Sequence, residues 1–262
     1  MLNFSDYKGI SIVQGNCGTS GGEAEVRVFL YVVDGLLIDS GPQSLAEDTK
    51  NYFSSKHIDQ VALTHNHEDH SGMAPWLQNN LNVPIYLHPG SIPDAHLVPE
   101  YLPYRQEMWG YRYAFEPTTM PEVIKTPLYT FEAIDSPGHC PYHNVFYERN
   151  QGWLFTGDLY LGTKLYVCFE DDNMKQTIAT LEKLLELDFD TVFCAHAGVI
   201  ENGKIRMQKK LDFLKNLQNQ VNGFRKQGIS DEDIDKEIYG FEMPLTELSK
   251  GEWSSYNIIH TI

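Results

Sequence analysis

Residues 61–73 read Val61-Ala62-Leu63-Thr64-His65-Asn66-His67-Glu68-Asp69-His70-Ser71-Gly72-Met73. The apolar triplet has the character of a buried strand, and the segment from Ser71 reads as a helix start. Between them, His65, His67, Asp69 and His70 are four metal-capable side chains within six residues. A strand ending in such a loop aims imidazoles and a carboxylate into one crevice at its C-terminal end, where α/β sheets place their sites. Histidine nitrogen and carboxylate oxygen are the usual donors to zinc and also suit iron or manganese. In an extended segment His65, His67 and Asp69 share one side while His70 points elsewhere, so one segment can serve two neighbouring ions.

Three more apolar runs of strand length stop at a single donor with glycine close by. Phe131 to Asp135 leads into Ser136-Pro137-Gly138-His139, Trp153 to Thr156 into Gly157-Asp158, and Thr191 to Ala195 into His196. Glycine allows the sharp turn and close backbone approach that such an ending needs. A lone histidine at a strand end is more often a hydrogen-bonded structural residue than a ligand. The cluster at 65–70 is what makes His139 and His196 candidates. His57, His88, His96 and His260 lack that company. His143, four residues after His139, suits a hydrogen bond behind the ligands.

With these residues in place, the chain resembles the metallo-β-lactamase-fold hydrolase superfamily, in its dinuclear, glyoxalase II-like branch. The resemblance rests on His65-x-His67-x-Asp69-His70, His139, Asp158 and His196, and spans roughly residues 10 to 200. It implies a four-layer αβ/βα sandwich, whereas periodicity alone gives only α/β. It also implies that His65, His67 and His139 hold one ion, that Asp69, His70 and His196 hold a second, and that Asp158 bridges them. The implied cofactor is a pair of divalent ions, zinc first, with iron or manganese as alternatives. Two departures narrow the choice of relative. Position 67 is histidine where the flavodiiron oxidoreductases carry glutamate. Asp158 stands where the best-known zinc β-lactamases have cysteine or lack a bridging carboxylate, which argues against antibiotic hydrolysis.

The expected reaction is hydrolysis of a small ester-like substrate (thioester, lactone or phosphodiester) by a metal-bridging hydroxide. Asp69 is the candidate catalytic carboxylate, orienting the nucleophile or accepting its proton. Tyr160, two residues after Asp158, is a candidate substrate contact through its phenol, with ordinary packing as the plainer role. The alternative from another reaction class is a mononuclear iron persulfide dioxygenase using the positions of His65 or its neighbours, His139 and Asp158. An RNA-processing nuclease and an inactive scaffold rank lower, the first for want of basic arms, the second because no ligand position is lost.

Composition sets the frame. A chain of 262 residues with 42% hydrophobic content can bury a large core. No apolar run of about 18 residues exists, so no membrane span or membrane partner is expected. The N-terminus lacks a signal-peptide pattern, and Cys17, Cys140, Cys168 and Cys194 are widely spaced. Both observations fit reduced thiols in the cytoplasm. A net charge of −16 argues against nucleic acid as a partner and leaves a small-molecule substrate.

Outside the ligand segments, residues 26–33 and 36–39 across Asp34-Gly35 read as a hairpin. Helices are expected over about 42–54, after Ser71, over 174–187 and over 204–224, with strands at 83–87, 128–134, 144–148, 152–156 and 191–195. Residues 1–225 form the expected main domain and 226–262 a small helical appendage. The stretch 89–121 is rich in proline and aromatics, long enough to be a wall of the site, with a satellite core or homodimer contact as the competing roles. Lys204, Arg206, Lys209 and Lys210 read as a solvated helix face, with an anion-holding role as the alternative.

Overall fold

The computed structural model describes residues 2–22 and 24–262. Strands β1 (Asn3–Tyr7), β2 (Ile10–Gly18), β3 (Glu25–Val33) and β4 (Leu36–Ile38) run antiparallel in sequence. Asp34 and Gly35 both have positive φ, 50° and 84°, at the β3–β4 turn, the conformation a two-residue hairpin requires. The chain then alternates: α1 (Ala46–Ser55), β5 (Gln60–Ala62), α2 (Glu68–Ser71), α3 (Ala74–Leu81) and β6 (Ile85–Leu87). Next come α4 (Ile92–Ala95), α5 (Pro103–Trp109) and the edge strand β7 (Thr118–Thr119), which pairs with β6 and completes a seven-stranded sheet ordered β1 to β7. The stretch 89–121 is therefore a helix-bearing connection within this sheet.

The second sheet is built from β8 (Val123–Lys125), β9 (Thr130–Asp135), β10 (Asn144–Glu148) and β11 (Trp153–Gly157). After β12 (Cys168–Phe169) and α6 (Met174–Leu184), β13 (Thr191–Cys194) pairs parallel to β11, and β14 (Gly198–Ile200) closes the edge. The long α7 (Gly203–Arg225) follows, then α8 (Asp231–Ile238), α9 (Pro244–Leu248), β15 (Trp253–Ser254) and α10 (Ser255–Thr261).

Alternation along the strands explains the layering. Phe29, Tyr31 and Val33 of β3 meet Phe131, Phe146, Phe155 and Phe193 of the second sheet in a core between the two sheets. The intervening Val28, Leu30 and Val32 face the other way, onto α1, α3 and α5. On the second sheet Val145, Tyr147, Leu154 and Val192 face α6, α7, α8 and α10. Strands buried on both faces read as unbroken apolar runs, and two such sheets covered by helices give the αβ/βα sandwich.

Helices α8 and α10 pack into the second helix layer, where Ile258, Ile259 and Ile262 are fully buried, while Leu245, Leu248 and Trp253 pack against the first-sheet core and β15 pairs with β12. At the start of α7, Arg206 and Lys209 are exposed and Lys204 half-buried, so the expected solvated face needs correction at Lys210. Lys210 is 2% exposed, and its Nζ donates to the carbonyls of Leu159 and Tyr160 at 2.7 and 2.5 Å.

Candidate metal centre

Carboxyl ends of strands from both sheets converge at one crevice. His65 to His70 follow β5, His139 lies in the β9–β10 loop, Asp158 follows β11 and His196 follows β13. The two sheets are tied together there: Asn144 N donates to Thr64 O at 2.8 Å and Phe29 N to Ala195 O at 2.7 Å. The seven donors fall into two groups, His65–His67–His139 and Asp69–His70–Asp158–His196, and within each group the candidate ligand atoms lie within 4.8 Å of one another.

The ring nitrogens are sorted by what stands behind them. His70 Nδ1 is 2.8 Å from Asp39 Oδ2, His196 Nδ1 2.6 Å from the Arg27 carbonyl, and His139 Nδ1 3.3 Å from Asp172 Oδ1. Each outward nitrogen faces an acceptor and so carries a proton, which turns Nε2 into the crevice, free to bind a metal ion once it gives up any proton of its own. Thr64 Oγ1 donates to Asp39 and lies 3.1 Å from His65 Nδ1, which fixes His65 the same way. His67 alone presents Nδ1 inward, 3.1 Å from His139 Nε2. That distance suits either a hydrogen bond between the rings or two donors turned toward one ion. His65 Nε2, His70 Nε2 and Asp158 Oδ1 are buried without an aligned hydrogen bond among the described residues. Such orphaned acceptors are costly, and a cation would satisfy them. The donor set therefore fits divalent metal ions, nitrogen-rich in one group and carboxylate-rich in the other.

Charge follows the same division. Burial drives the His65 and His67 pKa values well below the ordinary range, so both are neutral. At His70 and His196 burial opposes the proton, but Asp69 and Asp158 outweigh it and raise both: the carboxylates draw positive charge to the two Nε2 atoms, which a proton or a metal ion can supply. Asp69, despite burial, is held at about 2 by His70 and His196, and Asp158 is pushed well below the carboxylate range by the same two histidines. Asp158 reaches both groups: Oδ1 lies 3.2 Å from Nε2 of His70 and of His196, and Oδ2 3.6 Å from His139 Nε2.

The backbone at Asp158 is built to hold that position. Gly157 has φ 48°, and a Cβ there would stand 2.7 Å from His143 Nε2 and 2.8 Å from Thr64. His143 accepts from Asp158 N at 3.3 Å, so its Nδ1 carries a proton and donates to Ser136 Oγ at 2.7 Å. Burial first, then His139, lowers its pKa to about 3, keeping it neutral.

Tyr160 stands elsewhere. Its hydroxyl lies 3.3 Å from Thr163 Oγ1, its ring joins the second-sheet core, and it lines a surface cavity with Tyr7, Val199 and Arg206 in which none of the seven donors appears.

Three supporting groups escape a reading of the ligand motif. Asp39 ends the apolar run Leu36-Leu37-Ile38 with Gly41 nearby, the same signature as Gly157-Asp158, and could have been found by it. Asp172 has no such local signal. Glu68, inside the motif, is 1% exposed and takes a two-bond grip from Arg105 of α5, Nε to Oε1 at 2.5 Å and Nη2 to Oε2 at 2.8 Å. Tyr104 donates to Glu252 at 2.5 Å, and the Trp109 ring lies 6.5 Å from that of His196. The 89–121 connection is thus fastened to the ligand loop on one side and to the C-terminal segment on the other.

The comparisons agree with this geometry. The chain is 28% identical over 182 residues to a hydroxyacylglutathione hydrolase of Nitrosomonas eutropha, covering 68% of this chain and 61% of that one. It is 28% identical over 229 residues to an atrochrysone carboxyl ACP thioesterase of Pseudocercospora fijiensis, covering 85% of this chain and 57% of that one. The chain thus spans somewhat over half the length of these curated relatives. A solved beta-lactamase domain protein from Burkholderia ambifaria superposes with a TM-score of 0.67 at 16% identity, covering 98% and 88% of the two chains. The family profile for the metallo-beta-lactamase superfamily matches residues 26–196, a span that carries all seven donors. By that match and by its fold, the chain belongs to the metallo-beta-lactamase superfamily.

Proposed function

We propose that the protein is a hydrolase that holds two divalent metal ions, zinc foremost, and cleaves a small ester-like substrate: a thioester, lactone or phosphodiester. The observation that carries this reading is the crevice of converging imidazoles and carboxylates divided into two groups, with His65 Nε2, His70 Nε2 and Asp158 Oδ1 buried and unsatisfied. In it, His65, His67 and His139 would hold one ion and Asp69, His70 and His196 the other, with Asp158 placed to serve both. The ions supply Lewis acidity, which brings the pKa of a water toward neutrality and offsets charge developing on the substrate oxygen.

The chain's own residues do the rest. Asp39, Asp172 and the Arg27 carbonyl keep protons on the outward nitrogens of His70, His139 and His196 and fix the rings in place. Asp69, ionised at working pH, orients the attacking water and accepts its proton. In acyl hydrolysis the water oxygen bonds to the acyl carbon, the carbon–sulfur or carbon–oxygen bond breaks, and the proton leaves with the departing thiol or alcohol. Similarity to a hydroxyacylglutathione hydrolase and to a thioesterase favours an acyl substrate. Four free thiols suit a reducing compartment, so the reading sets the enzyme in the cytoplasm with a small molecule as its partner.

Elemental mass spectrometry of the purified chain tests this, together with an ester, thioester, lactone and phosphodiester panel. The reading expects two ions per chain, and loss of hydrolysis and of at least one ion in His67→Ala and Asp158→Ala. One iron per chain with oxygen uptake on a persulfide would replace it with the dioxygenase alternative.

A further inference from the structure

We infer that this site selects an uncharged acyl thioester or ester with an apolar acyl group, and that the 89–121 connection is the selecting element. The inference rests on the hydrolase reading above. A cavity of about 500 Å³ opens beside Asn66 and His67 and runs outward between this connection and the β9–β10 loop. One wall is Leu97, Val98 and Pro99, with Leu97 62% and Val98 54% exposed. Single exposed apolar residues are ordinary, but here they are contiguous and line a recess that reaches a metal donor.

The facing wall is Tyr142, on the loop that carries His139. Its ring stacks on His88 with centroids 5.1 Å apart and lies over Gly90, where a Cβ would come within 2.5 Å of the ring. The aromatic wall is therefore set before any ligand arrives, which lowers the ordering cost of binding.

Charge decides the rest. Of the two cations lining the cavity, Arg105 is neutralised by Glu68, while Arg112, 2% exposed, is held behind the wall by the carbonyls of Asp94, Ala95 and Leu97 and keeps its charge. The other charged lining residues, Asp94 and Asp171, are exposed acids. The two exposed rim acids outnumber the one buried cation that keeps its charge, on a chain of net charge −16, so the entrance repels an anionic substrate, while the apolar walls favour each added methylene. The acyl chain lies along Leu97, Val98 and Tyr142 with its carbonyl toward His67. Hydrolysis turns the neutral acyl group into a carboxylate, which the same rim expels.

The test uses the purified protein with its metal and S-acyl-N-acetylcysteamine thioesters from acetyl to octanoyl, beside S-octanoyl-glutathione as the anionic probe. kcat/KM should rise up to about fourfold per methylene. The neutral octanoyl thioester should exceed the glutathione one tenfold or more, a ratio that narrows at high salt as the rim is screened. Leu97→Asp and Tyr142→Ala should each flatten the chain-length slope. A flat slope in the wild type, or preference for the glutathione thioester, overturns the inference while leaving hydrolysis intact. If no thioester or ester is turned over while a lactone or phosphodiester is, the inference is overturned and the hydrolase reading stands; if nothing on the panel is turned over, the hydrolase reading fails, and calorimetric binding of octanamide judges the groove alone. Binding weakened by Leu97→Asp keeps its selectivity, and absence of binding removes it.

Discussion

Replacing Arg105 with methionine should cost more stability than replacing both Arg105 and Glu68. Glu68 is 1% exposed, and the Arg105 side chain 14%. Arg105→Met strands a buried carboxylate whose pKa burial already raises against the pull of Arg105. Breaking a buried pair from one side typically costs 3–5 kcal/mol. Because Arg105 is partly open to solvent, the low end applies, about 3 kcal/mol. For a chain of this size that lowers Tm by roughly 6–12 °C. Glu68→Met/Arg105→Met removes both charges and should recover most of the loss.

The pH dependence has a definite sign. With Arg105 gone, the folded-state pKa of Glu68 lies further above its unfolded value, so the folded state binds the extra proton. Stability lost to this group at neutral pH is regained as pH falls through the folded pKa. Urea unfolding of wild type, both single variants and the double, at pH 7 and pH 5 and matched metal content, gives the cycle. A single-variant loss under about 0.5 kcal/mol, or a double equal to the sum of the singles, would refute the assignment of Glu68–Arg105 as a buried, coupled pair.

Three further outcomes follow from the site. Asp39→Asn keeps the shape beside His70 Nδ1 but removes the charge, so metal affinity measured by chelator competition should fall about 10- to 100-fold. Unchanged affinity would mean that Asp39 only supports the fold. Gly157→Ala combines a positive φ with contacts under 3 Å to His143 and Thr64, so denaturant titration should show a loss of about 2–5 kcal/mol. Burial holds Lys210 at about 8. Its folded pKa lies below the unfolded value, so the wild type should gain stability as pH rises from 8 to about 10.5, by up to roughly 3 kcal/mol. Lys210→Met should lack that slope in urea titrations across the range.

Local signals were readable where chemistry and backbone geometry coincide in a few residues. The run Val61 to His70, and the endings Gly138-His139, Gly157-Asp158 and Ala195-His196, show strand, turn and donor together. Asp34-Gly35 marks its hairpin because few residues tolerate positive φ. The same signature was present at Leu36 to Asp39, where the carboxylate stands behind a histidine and not among the donors.

Tertiary structure decided what depends on distance across the fold. Which nitrogen each histidine turns inward is set by Asp39, Asp172 and the Arg27 carbonyl, up to 169 positions away in the chain. Lys210 sits among Lys and Arg neighbours that suggest a wet face, yet α7 turns it onto the carbonyls of Leu159 and Tyr160. Tyr160, adjacent in sequence to the site, turns toward Thr163 instead. Arg105 meets Glu68 only because β6, α4 and α5 carry the 89–121 connection back over the ligand loop. The donor types and their order are local properties of the chain. The charge around them, the protons behind them and the walls that admit a substrate arise only when distant segments pack.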